Sequence, residues 1–200
     1  RANPGDDFLS TLILAEDHGS KLSNLEMCAL VGAVLGAGSD TAVDLHSYLI
    51  KNLLQHPDEF ESLKADPSLV QGAISETLRY ESSGKTGLAR YASEDLEING
   101  NHVKKGQMVQ LITSTAGMDS LIYNEPRKFD IQRDHDKSIS FGQGPHYCIG
   151  VTLVRSQTEV MLKELFKRFP NLSLGDEIVY DYKHHNARRM DVMTVNTNLS

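Results

Sequence analysis

Phe141-Gly142-Gln143-Gly144-Pro145-His146-Tyr147-Cys148-Ile149-Gly150 is the stretch of this sequence on which the reading of the rest turns. Gly142, Gly144 and Pro145 specify a tight, mostly irregular loop. Helical periodicity then resumes from Ile149 to Phe169 and stops at Pro170, with Gly150 leaving room for a close approach where that helix begins. Cys148 therefore falls at a predicted helix N-terminus, where backbone N–H groups and the helix dipole favour a thiolate. Such a thiolate is a natural ligand for iron or zinc. A zinc site is disfavoured, because no second cysteine is near and His184-His185 lies far off in sequence. The other cysteine, Cys28, has no comparable surroundings and reads as a buried small hydrophobe.

Composition bounds what surrounds this loop. The 200 residues are 40% hydrophobic and 24% charged, the balance of a globular chain with a core. Lys and Arg number 20 against 27 Asp and Glu, a net charge of −7, which argues against a nucleic-acid or anionic-membrane binder. No run approaches the roughly 18 apolar residues of a membrane span. Arg1-Ala2-Asn3-Pro4-Gly5-Asp6-Asp7 lacks the order of a signal peptide. Two cysteines do not make a disulfide scaffold. The expectation is a cytoplasmic protein with no membrane or nucleic-acid partner.

Along the chain, a short helix is expected over residues 8–15. Ser23 and Glu26 have the spacing of a capping box, and nothing stops the helix they open until His56-Pro57. That predicts a rod over residues 24–55, about 48 Å long at ~1.5 Å per residue. It carries Gly32, Gly36 and Gly38, which predicts close packing or a distortion beside them. Two shorter helices follow, over 58–64 and 68–80. Strands are expected over 88–91, 96–98 and 107–113, with Asn99-Gly100 as a hairpin turn. A weak helix is read over 115–122, a long irregular coil over 123–140, and short strands and turns after Asn171. The fold class is mainly α with small β-sheets.

The motif F-G-x-G-x-H-x-C-x-G matches, position for position, the haem-binding loop of the cytochrome P-450 superfamily of haem-thiolate monooxygenases. Three further resemblances occur in the family's order. Ala37-Gly38-Ser39-Asp40-Thr41 resembles the oxygen-binding motif of the long central helix. Glu76-Thr77-Leu78-Arg79 is similar to the E-x-x-R motif, and Arg133, after Phe129-Asp130, stands where the family places the third member of its Glu-Arg-Arg cluster. The chain is thereby identified as a member of that family over essentially all of residues 1–200. The implied fold runs from a long central helix through an E-x-x-R helix, an irregular meander and a Cys-ligand loop to a final long helix.

The resemblance implies roles. Cys148 would be the axial ligand of the iron of haem b, with Phe141 packed beside the thiolate and Gly142 and Gly150 shaping the loop. His146 and Arg90 would meet the haem propionates. Ala37 and Gly38 would leave space above the cofactor. Thr41, bonded to a carbonyl one turn back, and Asp40 would relay protons to dioxygen. Glu76, Arg79 and Arg133 would form a structural ion cluster that pins the meander. Val34, Leu35, Ala42 and residues 84–89 would contribute to a mixed apolar pocket for a small organic substrate. Electrons from NAD(P)H would arrive through a ferredoxin- or flavodoxin-type donor, for which Lys163, Lys167 and Arg168 offer a basic docking face.

Family chains are about twice this long, so the sequence is expected to be the C-terminal part of a single haem-thiolate domain, its N-terminal half absent and itself a possible partner. The alternative is a non-catalytic relative or incomplete half-domain that binds and stabilises a partner protein. Two local departures stand out: Ser82-Ser83-Gly84 where prolines often follow E-x-x-R, and Ala116-Gly117-Met118-Asp119-Ser120 where Asn-Arg-Asp-Pro is common. Gly84-Lys85-Thr86 imitates the end of a phosphate-binding loop, but Arg79 stands where that loop requires its first glycine.

Overall fold

The structure, a computed structural model, describes residues 3–14, 16–17, 20–84, 86–183 and 187–197. Arg1, Ala2, Ala15, Lys85 and His184-His185, on which parts of the sequence reading fall, lie outside them. The chain divides into two compact units, Arg1–Ala42 and Val43–Ser200.

In the first unit, α1 spans Phe8–Leu14, and a small antiparallel pair, β1 (Glu16–Asp17) and β2 (Ser20–Lys21), precedes α2 (Asn24–Gln55), within which the division falls. The bounds of α2 are those its capping box and stop signal predict. The Ser23 N–H donates to Glu26 Oε2 at 2.8 Å, and the Glu26 N–H donates to Ser23 Oγ at 3.2 Å. These bonds hold the Glu26 carboxyl below the usual range. Two expectations fail here. Cys28 is exposed, because the stripe it shares with Leu25 and Leu35, at helical spacing, is uncovered among the described residues. Nothing packs beside Gly32, Gly36 or Gly38 either, so within this chain their cost is not repaid by a close contact.

The second unit holds the core. Leu45, Leu49 and Leu53 of α2 pack with Phe60 and Leu63 of α3 (Pro57–Ala65) and with Val70, Ala73 and Ile74 of α4 (Val70–Tyr80). Phe129, Ile131 and Leu162 close the cluster, Leu162 coming from α6 (Val151–Arg168). Each fully buried leucine contributes about 1.5–3 kcal/mol. By length and composition alone α2 would pass for a membrane span, with a mean hydropathy of 1.3 in its most apolar window, which corrects the expectation that no segment would. Its later turns are those of a core helix.

Three antiparallel pairs lie at the surface of this unit. β3 (Leu88–Tyr91) pairs with β6 (Met108–Leu111), and β4 (Leu96–Ile98) with β5 (Asn101–Val103). The turn between β4 and β5 has Asn99 and Gly100 both at positive φ, as the Asn-Gly signal requires. The longest pair joins β7 (Ser173–Asp181) to β8 (Arg189–Asn196). The weak helix read over 115–122 is instead a single turn, α5 (Thr113–Ala116), followed by turns and bends, because Gly117 onward is drawn against α4 as described below. The coil after it is irregular as predicted.

His46 of α2 and Thr158 of α6 are linked at 2.9 Å through Nε2 and Oγ1. Thr158 spends its own proton on the Val154 carbonyl at 2.7 Å, so His46 must donate through Nε2. Burial pushes the His46 pKa below 6.5, and burial does the same to His135. The folded state therefore binds fewer protons than the unfolded chain as pH falls past about 6.5. Stability is complete above that value and declines as pH drops through it toward the folded pKa values. Melting temperature should fall between pH 7.5 and 5, and His46→Gln should flatten that slope in part, leaving the His135 share. An unaltered slope would refute the neutral, half-buried His46.

Candidate functional site

The α4 helix carries a buried, fully bonded ion cluster. Glu76 is fully buried and Arg79 is 2% exposed. Arg79 grips Glu76 with two parallel bonds, Nε to Oε2 and Nη2 to Oε1, both 2.7 Å. Its remaining donors go to backbone carbonyls: Nη1 to Gly117 and Pro126 at 2.7 Å each, and Nη2 to Lys128 at 3.0 Å. All the guanidinium N–H groups are thus used, and no other side chain has that number in that planar fork.

Glu76 in turn takes the Asp130 N–H at 2.8 Å and the Arg133 Nε at 3.4 Å. Arg133 donates onward to the carbonyls of Asn124 (2.7 Å), Glu125 (3.3 Å) and Lys128 (3.1 Å). The irregular coil after α5 is therefore held by side-chain charge rather than by a backbone ladder. Gly117 is required in it, since a Cβ there would stand 2.3 Å from the Arg79 carbonyl. Two participants were not legible in the sequence. His135 Nε2 lies 3.8 Å from Glu76 Oε2, and Glu59 of α3 accepts the Ile131 N–H at 3.2 Å. No local spacing announces either.

That coil leads into the loop at Cys148. Phe141 packs against the core, with the Arg155 guanidinium 5.7 Å over its ring. The Phe141 carbonyl accepts the Cys148 N–H at 2.9 Å, closing the loop on itself. Between them Gly142 and Gly144 take φ of 75° and 67°, conformations a side chain would strain, and Gly144–His146 forms one 3-10 turn. The helix starts later than predicted, at Val151 with Gly150 as its cap, so Cys148 stands two residues before the cap. The cysteine is exposed, as are Tyr147 and Ile149 beside it, the latter at 89%.

The other expected ligand-binding residues stand as follows. His146 is exposed in the same loop. Arg90 is exposed on β3 and donates to the Ala89 carbonyl at 2.9 Å, and no bond joins it to His146. In the first unit, Ala37, Gly38, Asp40 and Thr41 are exposed on α2, and Thr41 Oγ1 donates to the Ala37 carbonyl at 2.5 Å, one turn back. A cleft of about 460 Å³ lies over Arg79, lined by Thr113, Gly117, Tyr123, Asp136 and Gln143; it belongs to the coil and not to the thiol.

These residues fit a haem better than an all-protein metal centre. Among the described residues no three His, Cys, Asp or Glu side chains converge on a common point. The donor set is one exposed thiol on an anchored loop beside an exposed isoleucine, which suits a flat apolar cofactor that brings its own equatorial ligands. Gly150 lies beside the sulfur, where a Cβ would stand 3.8 Å from Sγ, in ordinary van der Waals contact.

Comparison with known proteins agrees with this fit. The family model for cytochrome P-450 matches residues 2–177. The epothilone C/D epoxidase of Sorangium cellulosum is 39% identical over 196 residues, covering 98% of this chain and 46% of that protein. The 6-deoxyerythronolide B hydroxylase of Saccharopolyspora erythraea is 38% identical over 184 residues, 90% of this chain and 45% of its own. Among solved structures, an epothilone D-bound cytochrome P-450 superposes with a TM-score of 0.93 at 39% identity, over 100% of this chain and 49% of that one. CYP109E1 from Bacillus megaterium in complex with testosterone gives 0.92 at 30% identity, over 99% and 55% respectively. The chain spans about half the length of the relatives it matches.

Replacing Arg79 by Lys leaves one point charge where a fork of donors is needed. The variant should lose about 3–5 kcal/mol, the usual result of disrupting a buried pair, measured as a lower urea midpoint. A loss below about 1 kcal/mol would show that the coil is held by something else.

Proposed function

The chain belongs to the cytochrome P-450 family, and from that premise we propose that residues 1–200 form the C-terminal part of a single haem-thiolate monooxygenase domain. The observation that carries the reading is Cys148, an exposed thiol on a loop whose far end, Phe141, is fastened into the core. Haem b, when bound, supplies dioxygen activation with two electrons drawn from NAD(P)H through a ferredoxin- or flavodoxin-type donor, so that one oxygen atom enters a small organic substrate. Since relatives epoxidise epothilones and hydroxylate 6-deoxyerythronolide B, epoxidation or hydroxylation is the proposed outcome.

The side chains divide the work. Cys148 would hold the iron as its thiolate. Phe141 would keep water from it, and its carbonyl fixes the Cys148 backbone. His146 and Arg90 are exposed cationic or donor groups suited to the two propionates. Gly142 and Gly150 keep the loop thin. Ala37 and Gly38 would, as the resemblance implies, leave space for the cofactor. Thr41 anchors its hydroxyl proton on the Ala37 carbonyl, so its oxygen remains an acceptor, and with Asp40 it forms the proton relay. Lys163, Lys167 and Arg168 are exposed on α6 and would receive an acidic electron donor, although Arg168 is partly neutralised by Glu164 at 3.3 Å. The proposed compartment is the cytoplasm.

Supplied with haem, reduced and exposed to carbon monoxide, the protein should show the far-red-shifted Soret band of a thiolate ligand, and Cys148→Ala should abolish it. An unshifted band would remove Cys148 as ligand. Failure to take up haem would favour the alternative, a half-domain whose role is to pair with a partner protein. Thr41→Ala, in protein assembled with its electron donor, should keep haem and the shifted band while diverting electrons from product to hydrogen peroxide; full coupling would refute the relay.

A further inference from the structure

A second, partly buried charge cluster lies at the C-terminal end of α4 and has no part in the roles assigned above. Glu81 follows α4, its N–H bonded to the Thr77 carbonyl at 2.8 Å. Two cations share its carboxylate: Lys51 of α2 pairs with Oε2 and Arg188, the residue before β8, with Oε1. Lys51 is 5% exposed. The surplus positive charge lies over aromatic faces, with Arg188 5.5 Å from the Tyr48 ring centre and 5.2 Å from that of Tyr180, and Lys51 at 5.2 and 5.9 Å from the same two rings. Arg188 Nε donates to the Tyr48 hydroxyl at 3.0 Å, and that hydroxyl donates to the Arg188 carbonyl at 2.9 Å. Burial raises the Tyr48 pKa, so the phenol keeps the proton this bond needs.

The backbone of Arg188 reaches a further segment. Its N–H donates to the Ser83 carbonyl at 2.7 Å, and Gly84 forms an antiparallel bridge with Ala187. At the other end of residues 82–87, Gln110 of β6 donates to the Thr86 carbonyl, and Leu88 enters its register with Leu111. The sequence here, Ser82-Ser83-Gly84-Lys85-Thr86-Gly87, is flexible by composition, yet it is tied at both ends while Gly84, Thr86, Leu88 and Ala89 remain exposed. Drawing charges even partly out of water is a poor way to gain stability, since apolar side chains of similar volume do as well or better. The better-attested use of such a cluster is to fix one geometry among several.

We propose that Lys51, Glu81 and Arg188 form an electrostatic clamp that fastens Ser83 and Gly84 to the residues leading into β8 and so positions the segment 82–89 as one wall of the ligand pocket, making Glu81 and Arg188 positioning residues for substrate selection. The proposal rests on the family reading, whose resemblance implies that residues 84–89 contribute to the substrate pocket. It concerns how that wall is held, which no local motif announces.

The test uses Glu81→Gln, Arg188→Gln and Arg188→Lys in haem-loaded protein, with two readouts. Hydrogen exchange of the amides in 82–89 should speed up about tenfold in both glutamine variants and be largely restored by lysine at 188, as expected for loss of a coupled charge link. The probes for the pocket are imidazole, which needs only an accessible iron, and 4-phenylimidazole, whose ring also needs a wall. In the glutamine variants 4-phenylimidazole should bind about tenfold more weakly, with imidazole affinity and the carbon monoxide band unchanged. Unchanged exchange would overturn the clamp. Faster exchange with both azoles unaffected would overturn its role in selection. If wild-type protein takes up no haem, the functional reading and the ligand-facing half of the proposal fall together, and hydrogen exchange on the apoprotein still decides for or against the clamp. Should a glutamine variant lose its helical circular dichroism, Tyr48→Phe, which removes only the phenol bonds to Arg188, must give the same exchange change in milder form.

Discussion

The bidentate grip of Arg79 on Glu76 is the constraint from which the rest of the second unit follows. A coil without a hydrogen-bond ladder has to satisfy its carbonyls elsewhere, and here Gly117, Pro126 and Lys128 all turn to one guanidinium. The pair is fully desolvated, a state that costs several kcal/mol per ion unless every lone pair and proton is used. Every Arg79 donor is used. With Arg133 and the Asp130 N–H completing the Glu76 shell, the coil has one arrangement that satisfies the charges.

That rigidity is passed to the thiol. The coil delivers Phe129 and Ile131 into the core and, ten residues after Ile131, Phe141 as well. From Phe141 a single backbone bond sets Cys148, and the two left-handed glycines between them make the return tight enough for it to form. The loop thus has little internal structure of its own. Its precision is borrowed from a core on one side and from α6 on the other, an arrangement suited to holding one cysteine in a fixed orientation.

The α4 helix emerges as a distribution point. Over three turns it places Ile74 and Ala73 in the core, Glu76 and Arg79 under the coil, and Glu81 at the start of the segment that Arg188 holds. The two charge clusters share that helix but not their partners. One fixes the approach to the thiol; the other joins α2, α4 and the strand pair β7–β8. Disturbing α4 would therefore be felt at both.

Signals that act within a few residues were legible in the sequence. The Ser23–Glu26 box and His56-Pro57 set the bounds of α2, Asn99-Gly100 set a hairpin, and the glycine spacing around Cys148 announced a loop before a helix. Each depends on backbone geometry or on bonds spanning three or four positions, which neighbours in the chain dictate. The Glu76, Arg79 and Arg133 grouping was readable only through resemblance, since Arg133 lies 57 residues from Glu76. What only the tertiary structure decided are matters of packing and long-range charge. Cys28 is exposed because no described element covers its stripe of α2, which composition cannot reveal. The helix read over 115–122 is reduced to one turn, and the carbonyl of Gly117 that follows it is taken by Arg79 instead of by a helical N–H. The link of Tyr48 to Arg188 joins positions 140 residues apart. Such a contact leaves no trace in local pattern, because it exists only once the helices and strands have already been brought together by the core.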